Sequence, residues 1–196
     1  LFKDYPVDRA SNDIITLEPA QMKMTRPIST VKHSRQELQV LSRLKATVSS
    51  ASSGDVLAKA VQILRDSSSS YNWVGIYLVK GKDLVLSAYV GDAETEHTRI
   101  PVGQGICGLA AKEAETIIVP DVNKDPRYLM CFPSTRSEIV VPIVGVGGVL
   151  GEIDIDSDRL SAFTEQDREM LEEAAEIMAD HLDRQNLRFG HSGTVR

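Results

Sequence analysis

The sequence predicts an α+β domain, one antiparallel sheet with N- and C-terminal helices packed on one face and a loop-covered pocket on the other. Three observations carry this. Apolar residues recur at helical spacing near both ends, hairpin signals join two pairs of β-rich segments between them, and a loop-rich middle separates the pairs. A chain of 196 residues supports one such core and leaves little room for two.

Residues 1–33 mix Pro6, Pro19 and Pro27 with scattered charge and have no sustained period, so they read as an extension or arm, equally able to wrap a neighbouring subunit. From Ser34 the pattern changes. Leu38, Leu41, Leu44 and Val48 mark a first amphipathic helix, Ser49 to Gly54 break it, and Val56, Leu57, Ala60, Val61 and Leu64 mark a second. Tyr71 to Val79 and Leu84 to Tyr89 are β-rich segments around Lys80-Gly81-Lys82-Asp83, a hairpin signal. The middle holds a short helix around Leu109 to Ala114, a short strand from Thr116 to Val119 and an irregular stretch from Asp121 to Ser137, and a site would be built there. Glu138 to Val144 and Gly148 to Ile155 form a second hairpin over Gly145-Val146-Gly147. The last helix runs from Glu165 to about Asn186, with Leu171, Ala175, Met178 and Leu182 on one stripe and Thr164 with Asp167 as its cap. The expected organisation is therefore an arm at 1–33, a domain at 34–186 and a tail at 187–196.

Composition narrows the partners. A net charge of −6 and a pI near 5.3 oppose a nucleic-acid footprint, which requires a basic face, and favour small ligands, cations or proteins. No apolar run approaches the roughly 18 residues of a membrane helix. Cys107 and Cys131 are the only cysteines, and no secretory apolar region is visible, so a reducing cytoplasm is expected. Amphipathic helices at both ends make a homodimer an expectation.

Gly103, Gly105 and Gly108 spell a dinucleotide-binding fingerprint, but its context refuses it. A polar segment ending in Pro101 precedes the glycines, and barely two helical turns follow, where a buried strand and a long helix are required. A glycine-permitted loop that places Cys107 fits better. Cys107 at a helix start would gain thiolate character from the helix dipole, yet most free cysteines are small buried hydrophobes. Cys131 lies between Arg127 and Arg136, whose cations would lower its pKa, and among apolar neighbours, whose burial would raise it. In Glu152-Ile153-Asp154-Ile155-Asp156 the strand period of two sets three acids on one face and two isoleucines on the other. Glu138 begins the partner strand and could join those acids. Either the acids enter a pocket under the irregular segment or they face solvent.

Five segments then appear in order: Asn72 to Tyr77, Arg99 to Gly108, Val119 to Val122, Arg136 to Pro142 and Gly151 to Ser157. Together with Cys107, Cys131, Ser137-Glu138 and Asp154-Ile155-Asp156 they resemble the free methionine-(R)-sulfoxide reductases, enzymes of the GAF fold. The resemblance implies reduction of free L-methionine-(R)-sulfoxide with Cys131 as nucleophile. It further implies that Trp73 and Tyr77 wall the pocket and that Glu138, Asp154 and Asp156 bind the substrate or assist its chemistry. No cofactor is implied. Cys107 or an external thiol would condense with the sulfenic acid, and a thioredoxin-like reductant would close the cycle. One departure stands out, because the family commonly has a third cysteine where this chain has His97. A non-catalytic GAF module that senses a small ligand is the alternative of another class.

Overall fold

The computed structural model describes residues 33–50 and 55–190. Most of the expected arm, residues 51–54 of the Ser-rich break and residues 191–196 of the tail lie outside them. Helices α1 (Arg35–Ser50) and α2 (Val56–Arg65) lead into strands β1 (Trp73–Lys80), β2 (Asp83–Gly91) and β3 (Arg99–Pro101). Helix α3 (Gly105–Glu113), strand β4 (Ile117–Val119) and a 3-10 turn (Val122–Lys124) come next. Strands β5 (Ser137–Gly145) and β6 (Gly148–Ser157) and helix α4 (Glu165–Gly190) complete the order.

The six strands form one sheet in the order β3-β2-β1-β6-β5-β4, antiparallel throughout. The two predicted hairpins are β1–β2 and β5–β6, joined through β1 and β6 at the centre. Helices α1, α2 and α4 cover one face. There Ile76, Ile139, Val141, Ile153 and Ile155 of the strands pack with Leu41, Leu44, Leu64, Leu171 and Met178 of the helices. Local chemistry starts both long helices at defined residues. Ser34 and Glu37 exchange backbone-to-side-chain hydrogen bonds of 2.7 and 3.2 Å at the start of α1, and Thr164 and Asp167 do the same at 2.8 and 3.3 Å before α4. Asp167 also accepts from the Tyr71 hydroxyl at 2.6 Å, which ties the entry of β1 to the entry of α4.

Two elements differ from the sequence expectation. The polar segment before the glycine loop contributes edge strand β3, held by buried Ile100 and by the Arg99–Asp83 ion pair at 2.7 Å. One buried residue in a polar run leaves no period to read. Helix α3 starts at Gly105 rather than near Leu109, because Ile106, Cys107, Ala110 and Ala111 pack on the second sheet face and override the weak helix propensity of its glycines. That face thus carries a short helix as well as loops.

Candidate active site

Register builds the site. Asp154 stands opposite Gly75 of β1 and Val140 of β5, while Asp156 stands opposite Trp73 and Glu138. Glu152 is opposite Tyr77. With a period of two, Glu138, Glu152, Asp154, Asp156, Trp73 and Tyr77 all project from the face that α3 covers, while Ile153 and Ile155 enter the helical core. Of the two arrangements open to the acids in sequence, the buried one is found. Glu152 and Asp154 have no exposed surface, and Glu138 and Asp156 are 2% and 3% exposed.

The glycine loop seats Cys107 over these acids. Gly103 and Gly105 have φ of 90° and 71°, and the N–H of Gly103 donates to the carbonyl of Gly108 at 2.7 Å. A Cβ at Gly108 would lie 2.4 Å from the carbonyl oxygen of Pro101, so only glycine permits this closure. The preceding strand is a three-residue edge and the following helix has nine residues, far from a dinucleotide-binding unit. The Cys107 thiol lies 3.5 Å from Asp154 Oδ2 and 3.7 Å from Glu138 Oε1. The ligand atoms of these three residues lie within 4.8 Å of one another, a spacing that a metal ion could bridge.

Cys131 arrives from the irregular segment. Its Sγ donates to the carbonyl of Leu129 at 3.5 Å, and its N–H donates to the Tyr128 hydroxyl at 3.4 Å. Both cysteines are free thiols. Trp73 forms one wall, stacked on Tyr89 at 5.8 Å between ring centroids and tilted against Phe132 at 5.6 Å. Gly75 makes room for its indole, whose Cη2 would lie 2.2 Å from a Cβ at that position. Tyr77 is fully buried and donates its hydroxyl to the carbonyl of His97 at 2.9 Å. The His97 ring meets the carbonyl of Met130 at 3.1 Å, so His97 joins its own loop to the one carrying Cys131. A cavity of about 240 Å³ opens beside Asp156 between Trp73, Phe132 and Thr135. The larger groove along Asp121, Lys124, Arg127 and Leu160 contains neither thiol nor any of the four acids.

Residues 50–183 match the GAF domain family. This chain belongs to that family. It is related to the free methionine-R-sulfoxide reductases: the *Saccharomyces cerevisiae* enzyme is 41% identical over 55% of this chain and 61% of its own length. A type II free methionine-R-sulfoxide reductase from *Thermoplasma acidophilum* is 38% identical, with a TM-score of 0.61 over 76% of this chain and 96% of that one. The *Neisseria meningitidis* reductase, solved with its substrate, is 32% identical at a TM-score of 0.71, covering 82% and 99%. A structure described as a candidate GAF sensor protein from *Burkholderia vietnamiensis* is 28% identical at 0.69, covering 74% and 92%.

Burial dominates the electrostatics of this pocket. Burial pushes Asp154 up to about 7, with its hydrogen bond from Cys107 acting the other way. Burial, followed by repulsion from Asp154, pushes Glu138, Glu152 and Asp156 well above the carboxylate range. Burial also raises the Cys107 thiol, with Asp154, Glu152 and Glu138 adding to it, so the helix start does not make Cys107 a thiolate. Burial raises Cys131 too, reinforced by Asp154, Asp156 and Glu138 and opposed by the Thr95 hydroxyl. Of the two directions open to Cys131 in the sequence, burial prevails; the Arg127 guanidinium is bound to Asp125 at 2.6 and 2.9 Å, and Arg136 is exposed. Glu152 shares the face read from the sequence but was not among the expected site residues. The period of two in β6 was the signal for it. Phe132, Thr95 and Thr135 had no such signal, since loop conformation brings them in.

Proposed function

We propose that this chain reduces free L-methionine-(R)-sulfoxide to methionine with Cys131 as nucleophile. The observation that carries this is the convergence of two free thiols and four buried carboxyls under one aromatic wall. Kinship with reductases supports the substrate class. The substrate's ammonium fits a buried acidic cluster, whereas a peptide-bound methionine sulfoxide lacks that charge at its blocked nitrogen. Trp73 and Tyr77 would flank the methylsulfinyl group, and Glu138, Asp154 and Asp156 would divide the work of holding the ammonium and supplying a proton.

In the reaction the Cys131 sulfur attacks the sulfoxide sulfur, and an acid with a raised pKa protonates the departing oxygen. The oxygen, released as water, returns as a water that attacks the Cys131 sulfur; the new sulfur–sulfur bond breaks with its electron pair going to methionine, which leaves, and Cys131 becomes a sulfenic acid. Condensation with a second thiol, Cys107 or an external one, gives a disulfide and water. A dithiol reductant of the thioredoxin type then restores both thiols. His97 offers no sulfur for that exchange, so recycling falls to Cys107 or to the external thiol. The free pocket disfavours the Cys131 thiolate, and substrate binding offsets this by placing a positive charge beside the same carboxyls. We extend the proposal to a domain spanning 34–186, a homodimer and a cytoplasmic setting. Among the described residues no helix is long and apolar enough to cross a membrane.

The test is dithiothreitol-dependent loss of the free R-epimer, run beside the S-epimer and a methionine-sulfoxide peptide. Turnover confined to the free R-epimer is the expected outcome, and equal turnover of the peptide contradicts it. The likeness to the *Burkholderia* protein keeps a second reading, a ligand-binding sensor with the same pocket. Saturable binding of methionine sulfoxide with no product over many hours would favour that reading.

A further inference from the structure

We propose that Cys107, Glu138 and Asp154, backed by Glu152, form a binding site for one thiophilic divalent cation of the Zn²⁺ class. Geometry is the first support. A tetrahedral zinc ion with Zn–S near 2.3 Å and Zn–O near 2.0–2.2 Å holds sulfur and oxygen about 3.5 Å apart. The Cys107 sulfur lies 3.5 Å from an Asp154 oxygen and 3.7 Å from a Glu138 oxygen, and all three ligand atoms fall within 4.8 Å of one another. Both sulfur–oxygen distances therefore already suit such an ion.

Hydrogen bonding is the second, independent support. One thiol hydrogen serves two carboxyls at once. Glu138 Oε2, Asp154 Oδ1 and both oxygens of fully buried Glu152 have no hydrogen-bond partner within the protein. The neighbours whose charge or hydrogen bonds act on Glu152 and Asp154 are another acid and the Cys107 thiol, with no Lys, Arg or His among them. Buried acceptors that outnumber their donors are relieved by a cation as well as by protons. One thiolate with two or three carboxylates suits zinc, or cobalt as its spectroscopic substitute, whereas magnesium and calcium prefer oxygen alone. On binding, Cys107, Glu138 and Asp154 release to solvent the protons they carry, so three ligand charges face the two of the ion and the closed site keeps one net negative charge, with Glu152 staying protonated beside it. Cys131 is not a ligand in this arrangement, and the site does not depend on reductase activity.

The experiment uses the full chain, reduced and stripped with a chelator, titrated with CoCl₂, ZnCl₂ and MgCl₂. Co²⁺ should produce a thiolate-to-metal charge-transfer band that saturates at one equivalent, Zn²⁺ should abolish it, and Mg²⁺ should do nothing. Cys131→Ser should keep the band and Cys107→Ser should lose it. Glu138→Gln should weaken Co²⁺ binding by roughly 10–100-fold with the circular dichroism spectrum unchanged, which preserves the test if Cys107→Ser fails to fold. No band in excess Co²⁺, or a band that disappears with Cys131→Ser and survives Cys107→Ser, would overturn the proposal.

Discussion

The two faces of the sheet are built from the same strands by the same alternation, yet they are held by opposite means. On the helical face Ile153 and Ile155 meet Leu171, Leu44 and Met178, and every group there gains by leaving water. On the pocket face Glu152, Asp154 and Asp156 leave water just as completely, and most of their oxygens find no partner in the protein. Burial stabilises the first face and strains the second. A pocket of this kind persists because the apolar face, the caps of α1 and α4, and the packing of Leu84, Leu86, Ile106 and Val149 on the pocket face itself hold the sheet in place. The contrast teaches that stability and chemistry are divided between alternate residues of a single strand.

Substitutions should divide along the same line. The largest effect is expected from Glu138→Gln, Asp154→Asn or Asp156→Asn, each of which removes a buried acid with little change in shape. Activity should fall by about 10²–10⁴-fold in kcat/KM while the thermal midpoint holds or rises. Near-native rates in all three variants would erase the difference between the faces. Next in size is Leu171→Ala on the other face, which should cost about 2–5 kcal/mol of stability in a denaturant titration. Folded at low temperature, that variant should keep its epimer preference, and loss of the preference would mean that the faces are not separable.

A smaller effect sharpens the comparison through pH. Asp154 has its carboxyl raised from the ordinary 3.8 to about 7, so between those values the folded protein binds more protons than the unfolded chain. Stability from this group is complete below the unfolded pKa and is lost as pH rises through the folded one. The midpoint should therefore drop as pH goes from about 4 to above 7, and the Asp154→Asn variant should show a shallower drop over the same range. Equal slopes would show that Asp154 titrates as if solvated. The smallest effect lies at Ala114, which packs against the apolar cluster of the pocket face and ends α3 with φ of 54°. Ala114→Gly should relieve the left-handed conformation and add up to about 1 kcal/mol, read as a midpoint higher by a few degrees.

The period of two in β5 and β6 made both faces legible in the sequence, since it sorted Ile153 and Ile155 from Glu152, Asp154 and Asp156 without any tertiary information. The helices were legible from Leu41, Leu44, Leu171 and Met178 for the same reason. Whether the acids were buried was not legible, because that depends on what lies over them. The cover consists of α3, closed by the contact of Gly108 with Pro101, and of loops that deliver Phe132, Thr135 and Thr95. The sign of the Cys131 shift was hidden likewise, since it comes first from burial under loops that carry no period and then from Asp154, Asp156 and Glu138 across the pocket. Strand β3 escaped because a single buried residue, Ile100, carries it.

The central claim is that Cys131, set among buried acids, takes the oxygen from a free methionine sulfoxide. A single-turnover reaction tests it most directly. Fully reduced protein is mixed with excess R-epimer in the absence of any recycling thiol, and the methionine formed per chain is counted. The account predicts a burst close to one methionine per chain for the wild type and for Cys107→Ser, with none for Cys131→Ser. A burst that survives Cys131→Ser and disappears with Cys107→Ser would contradict it and assign the attack to the other thiol.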